Sequence, residues 1–440
     1  MEALLSLSIA ILSGLLLSRL AKFAKLPAVT AYLVAGILVG PYLLGAFGVS
    51  GLGFTKADIE NKTYSIFCDV ALGFIAFSIG NEFRLSQLKK IGKQATIVGI
   101  FQAVVATVVV DIVLIALHFA MPDKLPLPAA ITLGAIASAT APAATLMVVK
   151  QYKSKGPLTD MLLPVVALDD AVGLVLFAIS FGISKAIKSG IIDVISILVE
   201  PLLEVTLSLG LGFAMGLLFS FCERFFHSRS KRLSVSIAFV LLTIALSMLK
   251  FEIGGVHIGF SSLLVCMMLG TVFCNICDFS EELMDRVDRW TAPLFVLFFV
   301  LSGAELELSV FTDIMIVLIG VAYIFARSAG KYSGAYASAK FAKCDKNIVK
   351  YLGVTLLPQA GVALGMALKS AELGGVEGAL IANITLFAVL IYELVGPMLT
   401  KIALTKAGDI DPEGKTSARH EHAKKMAEKA QAEAESQPQA

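Results

Sequence analysis

About 13 apolar runs, each long enough to cross a lipid bilayer, follow one another along this 440-residue sequence. A membrane-spanning helix needs roughly 20 mostly apolar residues, and only short polar stretches separate the runs here. Hydrophobic residues make up 57% of the chain and charged residues 16%, against about 25% in an average soluble protein. Because a soluble fold of this length cannot bury so much apolar surface, the sequence predicts an all-α polytopic membrane protein.

The apolar runs also give the approximate position of each predicted span. The predicted helices are 3–24, 28–47, 64–84, 95–119, 127–150, 161–186, 200–222, 231–249, 255–274, 290–308, 313–338, 347–369 and 378–403. A short interfacial helix is predicted over 188–199. Residues 410–440 are rich in Lys, Glu, Ala and Gln, so we expect a charged, disordered tail after a transmembrane domain over 1–409.

Lysine and arginine concentrate in alternate loops, and this asymmetry predicts the orientation of the chain. The loops after odd-numbered spans hold most of these residues, such as Arg84, Lys89, Lys90 and Lys93 after the third span. We therefore expect the N-terminus outside a plasma membrane and the tail in the cytoplasm. No basic block with interleaved aromatic residues predicts nucleic-acid binding, and the six scattered cysteines predict no metal cluster or cofactor.

A weak internal repeat links the two halves of the sequence. Gly80-Asn-Glu82 at the end of the third span corresponds to Gly303-Ala-Glu305 at the end of the tenth, 223 residues later. The same offset carries Asp170 to Glu393, an acidic residue inside the last span. Six spans, a linker helix and six more spans would form two inverted repeats, an arrangement that places a transporter's substrate site at the repeat interface.

Two adjacent carboxylates, Asp169 and Asp170, lie in the middle of the sixth span. A charge at the centre of a spanning helix costs roughly 2.5–3.5 kcal/mol on insertion scales, so each such residue suggests a function. Adjacent residues on a helix point about 100° apart, and the two carboxylates therefore cannot share one partner equally. A desolvated carboxylate binds its proton more tightly than one in water, and its oxygens also suit hard cations. The alternative is a structural ion pair or a water-filled vestibule.

Helix-breaking residues interrupt the fifth and twelfth spans. Pro142 follows Ser138 and Thr140 in the fifth span, whereas Pro358 and Gly361 lie in the twelfth. Proline removes a backbone donor and disrupts the helix beside it, so hydroxyl and carbonyl oxygens become free inside the membrane. Two broken helices in corresponding positions predict a crossover that exposes an ion site. A merely kinked helix is the alternative, because proline is common in membrane helices.

Two cations, Arg327 and Lys331, lie four residues apart in the eleventh span and therefore share a helix face. A buried cation needs a counter-charge, and Asp169 and Asp170 are the strongest candidates in the chain. The residues leave open which cation pairs with an aspartate. Snorkelling of either side chain to the cytoplasmic surface is the alternative.

With these elements in this order, the chain resembles the monovalent cation/proton antiporter superfamily over about residues 5–405. The resemblance rests on the segments 26–41 and 80–88, the proline-broken fifth span, the Asp-Asp pair and the segment 357–361. It implies a homodimer with a dimerisation part over about 1–60 and 190–275. The core part, about 61–186 and 285–405, would carry crossed broken helices.

The same resemblance implies the roles of the acidic residues. Asp170 would bind Na⁺ or a proton, and Asp169 would pair with the cation of the eleventh span. Aspartate at both positions is similar to the electrogenic branch of the superfamily. We therefore expect a secondary active antiporter that exchanges Na⁺ or Li⁺ for protons, with K⁺ as the alternative cation, and not an enzyme.

Three other functions remain open at this point. The chain could exchange K⁺ for protons, or act as a Kef-like potassium efflux protein, although the tail is too short for the nucleotide-binding domain of that family. It could also form a channel. An intramembrane aspartyl protease needs two aspartates that share a proton from different helices, and adjacent residues on one helix fit that geometry poorly.

Overall fold

The structure is a computed structural model of the whole chain. The residues that it describes are 2–23, 26–47, 53–60, 64–81, 83–189, 199–249, 251–253, 256–277, 280–306 and 308–410. The predicted interfacial helix over 188–199 and the predicted tail over 410–440 lie almost wholly outside these ranges, as does Glu82 of the repeated motif.

The described residues form 16 α-helices. In the first half these are α1 Glu2–Phe23, α2 Ala28–Val39, α3 Lys56–Glu60, α4 Ser65–Asn81, α5 Leu85–Ala120, α6 Leu127–Ile136, α7 Pro142–Gln151 and α8 Pro157–Ser189. In the second half they are α9 Glu200–Glu223, α10 Arg229–Ser247, α11 Ser262–Ile276, α12 Ser280–Ala304, α13 Ile314–Phe341, α14 Lys346–Thr355, α15 Gly361–Lys369 and α16 Gly375–Ala407. The expectation of a helical membrane protein is confirmed.

Nine of the described helices are long and apolar enough to cross a membrane, and three shorter apolar helices, α4, α6 and α11, accompany them. The total of 13 spans stays a prediction. The predicted fifth and twelfth spans are each divided in two, as α6 with α7 and α14 with α15.

A short antiparallel hairpin corrects the predicted start of the ninth span. Strand β1, Phe251–Ile253, pairs with β2, Val256–Ile258, and α11 begins only at Ser262. The prediction of helix from residue 255 was therefore wrong. Aromatic and β-branched residues alternate through these strands and favour extended structure, which an apolar-length criterion alone does not detect.

The helices pack as two groups. Helices α1, α2, α4 and α9–α12 share one hydrophobic cluster, whereas α5, α6, α8, α13, α15 and α16 surround a second. The predicted core part included residues 61–82 and 285–304, but α4 and α12 pack mainly on α2 and α11 in the first group. We call these sets the scaffold group and the core group. That the scaffold group mediates dimerisation stays a prediction.

Two glycine crossings give the internal repeat a physical basis. A Cβ on Gly303 of α12 would overlap the carbonyl oxygen of Leu33 on α2. Gly80 of α4 likewise approaches the backbone of α11 at Met267. The two glycines of the repeated Gly-x-Glu element therefore occupy equivalent close helix contacts, which small residues permit in membrane proteins.

Candidate ion site at the helix crossover

The two helix breaks cross each other within the core group. The backbone N–H of Ala141, just before α7, donates a 2.9 Å hydrogen bond to the carbonyl oxygen of Pro358, between α14 and α15. Pro142 is the first residue of α7, where its missing N–H costs nothing, and Gly361 is the first residue of α15. The crossover therefore places four helix ends, with their unpaired backbone groups, at one point inside the protein.

Arg327 of α13 compensates carbonyl groups from both breaks. Its guanidinium group donates to the backbone oxygens of Ala137 at 3.0 Å, Ala139 at 2.6 Å and Leu357 at 2.7 Å. The ring of Tyr392 lies 4.5 Å from the guanidinium carbon and covers its face. Arg327 is fully buried and contacts no carboxylate through these bonds, so its charge stabilises the crossover itself.

Lys331, one turn further along α13, makes the ion pair. Its ammonium nitrogen lies 2.8 Å from Oδ2 of Asp169, and both side chains are fully buried. The same nitrogen contacts the backbone oxygen of Ser138 at 2.5 Å, Oγ1 of Thr140 at 2.9 Å and Oε1 of Gln102 at 2.9 Å. The positive charge is thus surrounded by acceptors, the condition under which a buried ion pair persists.

Asp169 has a donor on each side in addition to Lys331. Thr140 donates to Oδ2 at 2.5 Å, and Gln102 of α5 donates to Oδ1. The sequence analysis did not select Gln102. Its only signal is an amide side chain within the apolar part of a long helix, and such a residue has no spacing pattern that points to a partner.

Asp170 differs from Asp169 in its hydrogen bonding. Asp170 is 4% exposed, and its Oδ1 has no hydrogen-bond partner among the residues that the structure describes. A buried carboxylate oxygen without a donor costs free energy unless a proton or a cation satisfies it. Asp170 therefore keeps a buried carboxylate oxygen that no described residue satisfies.

Ser138 contributes its backbone rather than its hydroxyl group to the charged cluster. Its Oγ donates to the carbonyl oxygen of Ala135 at 2.7 Å, while its own carbonyl oxygen accepts from Lys331. The hydroxyl lies against Gly173 of α8, where a Cβ would come within 3.1 Å of it. The break, and not the serine side chain, supplies this oxygen to Lys331.

Gln359 belongs to the segment 357–361 of the predicted twelfth span, and the sequence analysis predicted no role for its side chain. The structure shows that its amide donates to the carbonyl oxygen of Ile136 at 2.9 Å and to the hydroxyl of Tyr323 at 3.0 Å. It therefore connects the end of α6 to α13 and to the second break.

Glu393 of α16 takes no part in the hydrogen bonds of Lys331 described above. The carbonyl oxygen of the next residue, Leu394, accepts a 3.3 Å hydrogen bond from Thr30. Glu393 is 5% exposed, and within the described part of the chain its Oε2 has no hydrogen-bond partner. It is the further buried acid that the sequence predicted, and its Oε2, like Oδ1 of Asp170, lacks a hydrogen-bond partner among the described residues.

The chain matches the family model described as the transmembrane sodium/hydrogen exchanger over residues 7–406. It is also 24% identical over 406 residues to the Na⁺/H⁺ antiporter NhaS4 of Synechocystis, covering 90% of this chain and 95% of that protein.

Solved structures of the sodium proton antiporter MjNhaP1 from Methanocaldococcus jannaschii have the same fold. The structure at pH 8 superposes with a TM-score of 0.64 at 18% identity, covering 92% of this chain and 99% of the other. An electron-microscopy structure gives a TM-score of 0.65 at 17% identity, covering 92% and 94%. The resemblance to cation/proton antiporters is thereby confirmed, and the chain belongs to the transmembrane sodium/hydrogen exchanger family.

Proposed function

We propose that this protein is a secondary active antiporter that exchanges Na⁺ for protons, with both ions competing for Asp170. The observation that carries the proposal is the unsatisfied, buried Oδ1 of Asp170 beside an aspartate that is already fully bonded. Two relatives named as Na⁺/H⁺ antiporters, NhaS4 and MjNhaP1, support the choice of ions.

A single carboxylate at this position explains obligatory exchange. Asp170 is satisfied either by a covalently bound proton or by a hard cation, which carboxylate oxygens coordinate readily. The two states exclude each other, so an ion that arrives on one side displaces the ion loaded on the other. Coupling then needs no second binding site, provided that Asp170 faces only one side at a time.

Alternating access follows from the division into scaffold and core groups. At the end of α7, Lys150 forms a 2.5 Å ion pair with Asp288 of the scaffold group, and Ser78 donates to the same oxygen at 3.1 Å. Gln151 accepts a 2.8 Å hydrogen bond from the backbone N–H of Ala28. In the orientation predicted from positive charges, these contacts close the cytoplasmic side and must open for release there.

Electrogenic exchange is the second part of the proposal. The Asp169–Lys331 pair lies next to Asp170, and a proton that leaves the pair during the cycle would add a charge to the transported total. Movement of each net charge is then driven by about 2.3 kcal/mol per 100 mV of membrane potential. We further propose a homodimer in the plasma membrane, with its N-terminus outside.

The test is ion exchange by purified protein in proteoliposomes. We expect wild-type protein to change the pH of the vesicle lumen when a Na⁺ gradient is imposed, with a sign set by the direction of the gradient. Asp170→Asn should lower this exchange at least about 100-fold, because the amide cannot release a proton. Asp160→Asn is the matched control, since Asp160 is exposed in the first turn of the same helix. Full Na⁺-driven exchange by Asp170→Asn would contradict the proposal.

Potassium is the second candidate ion, because a carboxylate and hydroxyl site of this kind does not by itself fix the cation size. The same proteoliposomes, challenged with Na⁺, Li⁺ and K⁺ gradients of equal size, separate the two functions. Exchange driven by K⁺ alone would replace the sodium assignment with potassium/proton antiport.

A further inference from the structure

The segment that follows α16 packs against the first turn of α8, the helix that carries Asp170. We propose that Asp409 is a positioning residue for Asp170: it caps α8 and holds this helix against α16, so that Asp170 keeps its place at the crossover. This role rests on the proposed function of Asp170 for its transport readout, whereas the contact itself can be tested without transport.

The carboxylate of Asp409 accepts two hydrogen bonds from one residue of α8. The backbone N–H of Thr159 donates to Oδ2 at 2.6 Å, and the Thr159 hydroxyl donates to the same oxygen at 2.8 Å. The first N–H groups of a helix have no partner within the helix, so a carboxylate there satisfies one of them and complements the positive end of the helix dipole. Such a cap usually comes from the residue just before the helix. Here it comes from a residue 250 positions later in the chain.

The backbone of Asp409 binds the linker between α7 and α8. Its carbonyl oxygen accepts from the N–H of Lys155 at 3.0 Å and from the hydroxyl of Ser154 at 3.3 Å. Asp409 is 7% exposed, and the next residue, Ile410, is buried in one hydrophobic cluster with Leu158 of α8. Polar and apolar contacts therefore both join the end of α16 to the start of α8.

Two glycines give the Asp409 carboxylate its position. Gly408 ends α16 with a φ of +88°, and the N–H of Asp409 then donates back to the carbonyl oxygen of Leu404 at 3.0 Å. Gly156, just before α8, has a φ of +155°, and a Cβ there would overlap the Asp409 carboxylate. Other residues rarely adopt such backbone angles, so both segments are shaped for this contact.

A proline weakens the attachment of the first turn of α8 to the rest of that helix. Pro164 lies inside α8 and lacks the N–H that would donate to the carbonyl oxygen of Asp160. Helices bend at such positions, because the backbone bond that would resist bending is missing. The first turn of α8 therefore gains from a partner outside the helix.

The two ends of this part of α8 are held by different contacts. Beyond the proline, Asp169 is held by its ion pair with Lys331. Before the proline, Thr159 is held by Asp409. Asp170 lies about 16 Å from Thr159 along the helix at 1.5 Å per residue. Loss of the Asp409 cap would therefore let α8 tilt and shift Asp170 relative to the crossover.

The experiment measures the Na⁺ concentration that half-saturates exchange in proteoliposomes. Asp409→Ala removes the cap, and a typical cap loss corresponds to about fivefold in an equilibrium constant, so half-saturation should need about fivefold more Na⁺. The maximal rate per folded protein should change less. Asp409→Asn keeps an acceptor oxygen and should behave as wild type, because Asn caps helices as well as Asp does. Thr159→Val removes one of the two donors and should act in the same direction as Asp409→Ala, with a smaller effect.

Asp345→Ala is the matched control. Asp345 stands at the start of α14, and its side chain makes no capping hydrogen bond. We expect this variant to keep the wild-type half-saturating Na⁺ concentration. An unchanged half-saturating concentration in Asp409→Ala, with only the amount of folded protein reduced, would overturn the proposal. Asp409→Asn as impaired as Asp409→Ala would overturn it too, because the acceptor oxygen would then not be what matters.

A thermal-unfolding cycle separates this proposal from the proposed function. Asp409→Ala, Thr159→Val and the double variant are compared with wild-type protein in detergent. Because the two side chains bond to each other, the two single shifts in melting temperature should be clearly larger in sum than the shift of the double variant. Additive shifts would overturn the capping role, whether or not the protein exchanges Na⁺.

Discussion

Arg327 and Lys331 lie one helical turn apart on α13, yet they serve two different regions of the crossover. Around Arg327, three carbonyl oxygens from both breaks are bonded to one guanidinium group. Around Lys331, one carboxylate and three neutral oxygens surround a single ammonium group. The first cation therefore replaces missing backbone hydrogen bonds, whereas the second pairs with a buried carboxylate.

The comparison predicts that loss of Arg327 has the largest effect on folding. Arg327→Met leaves three buried carbonyl oxygens without donors, at about 1–3 kcal/mol each, so we expect the free energy of unfolding to fall by about 3 kcal/mol or more. Arg327→Lys should not restore it, because a single ammonium cannot reproduce the fork of the guanidinium. Thermal unfolding in detergent measures the loss.

Arg286→Met provides the reference for that measurement. Arg286 forms a surface ion pair with Glu282 at 3.0 Å, and such pairs contribute at most about 1 kcal/mol. If Arg327→Met and Arg286→Met unfolded at the same temperature, Arg327 would not support the crossover as described.

Loss of Lys331 should instead affect transport more than folding. In Lys331→Met, Asp169 can take up a proton and keep Thr140 and Gln102 as partners, so the variant should fold. Without the charged pair we expect the transport current after a sodium jump to fall at least about tenfold. Lys340→Met, in the exposed last turn of the same helix, should retain the current.

A Lys331→Met protein that produced wild-type current would show that the buried pair takes no part in charge movement. If that variant exchanged ions without producing a current, Lys331 would be responsible for electrogenicity and Asp170 for ion competition.

The smallest effect on stability is expected at the ion pair of Lys150 and Asp288, where α7 meets the scaffold group. Asp288→Asn removes the ion pair with Lys150, whose side chains are 25% and 33% exposed, so it should cost under about 1 kcal/mol of stability. The loss should shrink further in high salt, which screens partly exposed charges. A stability loss as large as that of Arg327→Met would contradict this expectation, because the ion pair would then stabilise the fold as much as Arg327 does.

The sequence predicted the parts of this site that depend on backbone chemistry. Pro142, Pro358 and Gly361 mark the two breaks because proline and glycine act locally and leave the same signature in any helix. The mid-span position of Asp169 and Asp170 likewise identified the charged cluster, since such residues are costly in a membrane.

The remaining features depend on packing between distant segments, which residue spacing cannot encode. Arg327 and Lys331 have equal charge and share a helix face, and only the three-dimensional packing shows that Lys331 is the one that reaches Asp169. Gln102 became visible as part of the site for the same reason. The placement of α4 and α12 in the scaffold group follows from glycine contacts such as that of Gly303 with Leu33.

The central claim is that Asp170 binds the exchanging ion while Asp169 is committed to Lys331. Proton release from purified protein on addition of Na⁺, at fixed pH and without a membrane, tests it most directly. We predict release by wild-type protein and none by Asp170→Asn. Undiminished release from Asp170→Asn, with release abolished by Asp169→Asn alone, would contradict the account.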